Sequence, residues 1–392
     1  MVTYRVYPFG HCGGKIVKDS DYTLEEVSFH HVVLEGSHYE IGEQLAEYIK
    51  GDEDRVSRYT AHRVNPKKLG FDNFQSLRMY YEDVCPGISE ELQGVADGLG
   101  LSIDMMPYWE TSLISPQMST CSQVAVLSTI TEDEHSYLGR NYDYDTTRDD
   151  RVLCTTRAKG KASHIGFTAF LYGRHDGMNE HGLIASLTGA GVFDVPLKRR
   201  GVVIWVAIRS ILDSCRDVKE ALALLEKVPV GDFDSLVLLD RSSNAALVEY
   251  ADGVSSVKEI HFNDPDGYLY SVNHYRLPSM LEFNKMNVGI MGHSQLRGEA
   301  IESTLEPLIP QINKEDIKRL LSTCHPKGLC NHYYGDGFGT LWSVIYDSTS
   351  GMVEACFGAP SHNPYREYYL EDPAGMEHHS ATAPVSHSRL PI

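Results

Sequence analysis

No apolar run in this 392-residue chain is long enough to cross a bilayer. The most apolar stretch, GVVIWVAI at 201–208, is short beside the ~20 residues a spanning helix needs. Positive charge is also scarce. With 35 Lys and Arg against 54 Asp and Glu, the formal charge is −19. That balance excludes a nucleic-acid binder, which needs a basic face. It argues equally against docking on an anionic membrane and is consistent with a soluble protein. The opening MVTYRVYPFGHCGGKIVKDSD has no apolar segment behind a basic patch, so no secretory signal is expected. The eight cysteines, at 12, 85, 121, 154, 215, 324, 330 and 356, form no dense framework. Reduced thiols in a cytoplasm are the expectation.

Long linkers and internal repeats are missing too. What is present divides into two textures. Up to about residue 118 the chain reads as helices behind one strand, EVSFHHVVLEG. Ser37 and Glu40 have capping-box spacing, Ile41, Leu45, Tyr48 and Ile49 share a face, and Gly51 follows as a stop. Leu92, Val95 and Leu99 form a second stripe. After Cys121 short strands take over, from SQVAVLSTI and SYLGRNYDYD to GTLWSVIYD and MVEACFG. Helices are predicted near 203–215, 217–228, 294–308 and 314–323. Hairpins with clustered helices indicate an α+β fold with antiparallel sheets. The His-, Pro- and Ser-rich tail from Ser361 reads as loosely held.

Few residue groups have the spacing that chemistry needs. CHPKGLCNH offers Cys324, Cys330 and His332, but the two cysteines lack the close paired spacing of a zinc site and no second pair is evident. GHSQL around Ser294 lacks the last glycine of a nucleophile elbow. The 18 histidines contain no HExxH. No metal and no cofactor are expected. There remains STCSQVAVLSTITEDEHSYLGRNYDYD, residues 119–145, which reads as a hairpin with a thiol at its head. A turn of about four residues would set Cys121 opposite roughly 142–146. Asp143 is then its near neighbour, with Arg140 further along. Three residues apart, Arg140 and Asp143 face opposite sides of a regular strand. Both reach the thiol only where the strand bulges or ends. A core thiol is the competing reading.

CSQVAV and GRNYDYD resemble the start of the catalytic chain in the choloylglycine hydrolase group of N-terminal-nucleophile amidases, in the branch of the acyl-coenzyme A:6-aminopenicillanic acid acyltransferases. VVLEGSHYEIGEQLAEY and ELQGVADGLGLS resemble that branch's leader. GMNEHGLIASLTG, SVNHY, SQLR, LCNH and TLWSVIYD follow in family-like order. The resemblance implies a four-layer αββα sandwich. It implies a leader, residues 1–120, that is cut off yet retained by association with a catalytic chain, 121–392. It also implies Cys121 as nucleophile, Arg140 and Asp143 flanking it, Asn273 as an oxyanion donor and Arg297 as a distal support. Related bile-salt hydrolases carry an Asn oxyanion donor where ASLTG places Thr188; that position departs from the pattern, and the Thr188 hydroxyl or a main-chain N–H is the candidate donor in its place. Thr120 stands where the branch usually has Gly.

Those residues suit one chemistry. A mid-chain thiol without a histidine partner needs a base. Cutting the 120–121 bond supplies the α-amine of Cys121, whose pKa of roughly 7.7–8.0 lies near working pH. The expected reaction is hydrolysis of a linear amide C–N bond in a small N-acyl molecule, through a thioester. Acyl transfer to an amine uses the same thioester and stays open. So does an uncleaved, inactive binding homologue.

Overall fold

A computed structural model of the chain describes residues 22–60, 63–113, 121–145, 149–190, 201–231, 233–286, 288–334 and 338–386. Thr120, the residue before the expected cut, lies outside them, as does Cys12. The segment before Cys121 runs through β1 (Tyr22–Gly36), α1 (His38–Lys50), α2 (Glu53–Tyr59), α3 (Phe74–Val84), α4 (Ile88–Leu99) and α5 (Tyr108–Thr111). From Cys121 come β2 (Ser122–Val126), β3 (Tyr137–Tyr144), β4 (Val152–Ala158), β5 (His164–Ala169), β6 (Gly173–Arg174), β7 (Asp176–Asn179) and β8 (Ile184–Gly189). Helices α6 (Ile204–Ser214) and α7 (Val218–Leu225) precede β9 (Phe233–Leu239), β10 (Ala245–Ala251), β11 (Val254–Ile260) and β12 (Tyr268–Ser271). Then follow α8 (Val288–Leu305), α9 (Lys314–Ser322), β13 (His332–Tyr333), β14 (Phe338–Asp347), β15 (Val353–Phe357), β16 (Arg366–Tyr368) and β17 (Gly375–Ser386).

The local signals account for the helices. Ser37 and Glu40 close a capping box on α1, and Ile41, Leu45, Tyr48 and Ile49 are its buried face. Glycines let α1 and α4 touch backbone to backbone. A Cβ on Gly42 would stand 2.0 Å from Glu91 O, and one on Gly94 2.2 Å from Tyr39 O. The strands form two sheets. One runs β11-β10-β9-β8-β7-β5-β4-β1-β17, with β6 beside β5; the other runs β12-β2-β3-β14-β15-β16, with β13 beside β14.

Three apolar cores separate four layers. Ile41, Leu92, Trp109, Ile208, Leu236 and Val248 join α1, α4, α5 and α6 to the ten-stranded sheet. Phe29, Leu138, Phe167, Val237, Trp342 and Val344 fill the space between sheets. Val124, Val126, Ile301, Ile317 and Leu320 lie under α8 and α9. This is the αββα sandwich. Among the described residues no helix is long and apolar enough to cross a membrane.

The two sheets are antiparallel apart from one pair of strands: β1 runs parallel to β4, from His30↔Val152 to Gly36↔Ala158. A parallel pair requires a long crossover, and α1–α5 with the β2–β3 hairpin supply it. One expectation needs correction: as far as Ser386 the tail is not loose. β17 pairs with β1 from Val33↔Gly375 onward, and the His379 ring lies 4.8 Å from Phe357. Its partner strand lies some 350 residues earlier, so no local pattern reveals it. Deleting Gly375–Ile392 is therefore expected to cost several kcal/mol, since each ladder bond contributes roughly 1 kcal/mol. An unchanged urea midpoint would show that β17 adds nothing.

Candidate active site

The site grows from the β2–β3 hairpin. Ser122 pairs with Asn141, Gln123 with Arg140 and Val124 with Gly139. One further step sets Cys121 opposite Tyr142, at the near edge of the expected range. Alternation then sorts the side chains. Cys121, Ala125, Leu138 and Tyr142 point between the sheets. Gly139 faces α9, where a Cβ would meet Ile317 at 2.6 Å, and Asn141 donates to Leu321 O at 2.9 Å.

Arg140 shares the inner side with the thiol. Its Nη2 lies 3.5 Å from Cys121 Sγ, and both residues are fully buried. Asp143 falls on the other face. It accepts hydrogen bonds from the Thr340 hydroxyl at 2.6 Å and from Asn331 Nδ2. The expected order of nearness is thus reversed: Arg140 touches the sulfur, and Asp143 is held by residues of β14 and the segment before β13. The cause is the two-residue period of the strand. A bulge does occur, but on β14, where the register shifts between Thr340 and Trp342. The extra residue, Leu341, lets Thr340 face Asp143 while Trp342 stays in the inner core.

Arg140 is held on several sides. Nη1 donates to His175 O at 2.7 Å and to Ser186 Oγ at 3.1 Å, and lies 3.3 Å from Asp176 Oδ2. Its guanidinium carbon is 5.1 Å from the Trp342 ring centroid. Burial opposes its charge, but the Cys121 sulfur and the Asp176 carboxylate hold its pKa above the ordinary value. Burial, reinforced by Arg140, keeps the adjacent His175 imidazole neutral.

On the other side of β2, Arg297 of α8 binds the main chain at Cys121. Its Nη1 donates to Cys121 O at 2.7 Å and to Ser122 Oγ at 2.7 Å. Nη2 donates to Asn273 Oδ1 at 2.5 Å. Burial brings Arg297 down to about 10, with Asp143 and Cys121 pulling it back up. Asn273 Nδ2 donates to Gly189 O at 2.7 Å, and its N–H donates to Ser294 Oγ at 2.9 Å. Ser294, which also bonds His274 Nδ1 at 2.8 Å, thereby positions Asn273.

Thr188 is buried nearby, but its hydroxyl is engaged elsewhere. Gln123 Nε2 donates to Ser271 Oγ at 2.8 Å. The Ser271 and Thr188 hydroxyls meet at 2.8 Å, and Thr188 donates to Val272 O at 3.1 Å. Cys121, Arg140, Asn273 and Arg297 thus form one connected group. Asp143 joins it through its charge interaction with Arg297, while the Thr188 side chain ties β8 to β12.

The sequence pattern does not single out Asp176, Ser186, Asn331 or Thr340. Asn331 and Thr340 lie within LCNH and TLWSVIYD, where order along the chain carried a signal but individual residues did not. Nothing in the spacing of Asp176 connects it to Arg140. In the Cys/His stretch, Cys330 Sγ lies 3.6 Å from His332 Nε2, and burial pushes the thiol up to about 12. Among the described residues no group of three or more His, Cys, Asp or Glu could hold a metal ion.

Comparisons with known proteins add to this geometry. No curated protein matches the chain. Similar solved structures include the Caenorhabditis elegans ortholog of N-acylethanolamine-hydrolyzing acid amidase, at 16% identity over 58% of this chain and 93% of that one, with a TM-score of 0.44. Penicillin V acylase from Agrobacterium tumefaciens is similar at 17% identity over 66% and 90%, with a TM-score of 0.42. A variant of conjugated bile acid hydrolase from Clostridium perfringens is similar at 11% identity over 69% and 98%, with a TM-score of 0.40. The family model described as acyl-coenzyme A:6-aminopenicillanic acid acyl-transferase matches residues 130–362. That interval holds Arg140, Asp143, Thr188, Asn273 and Arg297, and begins after Cys121. It spans more than half of the sequence, and the chain belongs to this acyl-transferase family.

Proposed function

We propose that the chain is a self-processed cysteine amidohydrolase that cleaves the amide C–N bond of a small N-acyl molecule. The observation that carries this reading is the pair of arginines about one residue: Arg140 at the Cys121 sulfur and Arg297 at the Cys121 carbonyl. In the precursor, the sulfur attacks the carbonyl of residue 120. An N→S acyl shift breaks the 120–121 C–N bond and frees the α-amine, and water then hydrolyses the resulting thioester to release the carboxyl of residue 120 and the thiol. That amine then takes the thiol proton directly or through a water. Arg140 favours the thiolate by charge, and Asp143 steadies the new ammonium. The thiolate adds to the substrate carbonyl, with Asn273 and main-chain N–H groups as oxyanion donors. The C–N bond breaks, the amine leaves with a proton, and water releases the acid from the thioester.

The leader stays bound in this scheme. β1 lies between β4 and β17, and leader helices share a core with α6. The seven described cysteines are free thiols, which supports a reducing compartment such as the cytoplasm. Intact mass of the purified protein tests the scheme: two associated chains are expected, the larger starting at Cys121. A single chain that still hydrolyses amides would overturn it.

The family's description favours a second reading, in which an amine replaces water in the last step. An activated acyl donor offered with and without amines distinguishes the two. Amide as main product at millimolar amine would make the protein a transferase, with an acceptor site that pre-positions the amine.

Asp143 gives a pH dependence with a definite sign. Burial raises its pKa from 3.8 to about 6, against the pull of Arg297 and the hydrogen bonds from Thr340 and Asn331. A carboxyl shifted upward on folding contributes its stability fully below the unfolded value and loses it as pH rises through the folded value. In an uncut Cys121→Ala protein, the unfolding free energy is expected to fall between about pH 4 and 6, by at most ~3 kcal/mol. The comparison is with the same protein carrying Asp143→Asn, so other titrating groups cancel. Denaturant titrations across this range measure it; a flat difference curve would mean that Asp143 does not titrate there.

A further inference from the structure

We propose that Asp176 is a positioning residue: it holds the Arg140 guanidinium in the orientation that presents Nη2 to the Cys121 sulfur. The proposal rests on the reading of Cys121 as a nucleophile activated by Arg140, and it concerns how that activation is kept in place.

The geometry begins with the guanidinium. Arg140 Nε has no hydrogen-bond partner, so its two terminal nitrogens carry its orientation. Nη2 faces the sulfur at 3.5 Å. The hydrogens of Nη1 go to His175 O and Ser186 Oγ. Both are neutral acceptors and neither balances the charge. Asp176 Oδ2 accepts no hydrogen bond and lies 3.3 Å from Nη1. Among the described residues it is the one carboxylate in ion-pair contact with Arg140.

Asp176 is itself fixed from both sheets. Its Oδ1 accepts from the Tyr346 hydroxyl at 2.7 Å and from Phe167 N at 3.1 Å. Tyr346 stands on β14, paired with Leu138 of the strand that carries Arg140. Phe167 stands on β5 of the other sheet. The carboxylate therefore bridges the two sheets beneath the nucleophile, fully buried. A guanidinium buried without a counter-charge would turn toward whatever anion or water it could reach. With Asp176 at Nη1, the planar fork is held and Nη2 remains for the sulfur.

Positioning and simple charge make opposite forecasts. Removing a negative neighbour by itself favours the thiolate and lowers the thiol's pH midpoint. Losing the alignment of Arg140 raises it. The experiment reads carbamidomethylation of Cys121 by iodoacetamide in the full-length protein, across a pH series, by peptide mass. The thiolate is the reacting form. The midpoint is read rather than the amplitude, because the buried thiol must first become accessible and that step scales the amplitude. Wild type is compared with Asp176→Asn, Tyr346→Phe and Arg140→Met.

Asp176→Asn is expected to move the midpoint up by about one unit, a roughly tenfold loss of thiolate below it. Tyr346→Phe keeps the carboxylate but frees it on one side, and is expected to move the midpoint the same way by less. Arg140→Met should shift it at least as far as Asp176→Asn. A shift in Arg140→Met with the other two unmoved or moved down would overturn the role of Asp176. No shift in Arg140→Met would instead overturn the activation of Cys121 by Arg140. Should Asp176→Asn fail to fold, Tyr346→Phe decides alone, since it leaves every buried charge in place.

Discussion

Replacing Cys121 with Ala should yield a folded, uncut and inactive chain. The side chain is fully buried in the core between the sheets. Losing one sulfur there removes a small apolar group and leaves a small void, at a cost of about 1 kcal/mol. Most of the main-chain environment survives, because Arg297 binds the carbonyl oxygen of residue 121 and not the thiol. Arg140 keeps Asp176, His175 O and Ser186 Oγ. The thermal midpoint should therefore drop by only a few degrees, whereas processing and amide hydrolysis should both disappear. Intact mass, circular dichroism and turnover of a panel of N-acyl substrates measure the three quantities on one preparation. Full turnover in the variant would remove Cys121 from the mechanism. A protein that is cut at 120–121 without the thiol would place self-processing on another group.

The largest loss of stability is expected at Arg209, far from the thiol. Arg209 of α6 is buried, with Nη2 at 2.9 Å from Glu91 of the leader and Nε at 3.0 Å from Asp213. Nη1 donates to Tyr172 O at 2.9 Å, and His164 Nε2 lies 3.0 Å from Asp213. Burial works against its charge, but Asp213 and Glu91 together hold its pKa well above the ordinary value. Arg209→Met fills most of the same volume yet leaves two buried carboxylates without their cation. Breaking one partner of such a pair costs about 3–5 kcal/mol. In the uncut Cys121→Ala protein this should appear as a lower denaturant midpoint at unchanged slope. In a processed protein it should appear as loss of the leader on gel filtration, since Glu91 and Arg209 would then belong to different chains. An unchanged midpoint would mean that water or other groups already satisfy the carboxylates.

Both outcomes bear on the division at residue 120. The segment before residue 120 is more than the helical cover that its texture suggests. β1 enters the ten-stranded sheet and carries β17 on its outer edge. EVSFHHVVLEG reads as a strand from its own composition. Nothing local shows that its neighbours come from residues near 152 and 379, because strand pairing is set by packing and not by sequence distance. The tail misleads for the same reason. GMEHHSATAPVS lacks a clear alternation, and its extended form depends on the partner that β1 offers.

Local periodicity alone determined most of the elements before the tail and the opposite facing of Arg140 and Asp143. A two-residue repeat and a short turn leave few choices of register, and capping and stripe signals leave few choices of helix. The tertiary structure decided which face meets the thiol. It brought Asp176, Arg297, Asn273 and Asn331 around Cys121 from widely separated parts of the chain, and it placed the Thr188 hydroxyl in a strand-linking network. Faces follow from backbone geometry within a few residues. Their occupants follow from how two sheets and two helical layers bury their apolar sides, a condition met only by the whole chain at once.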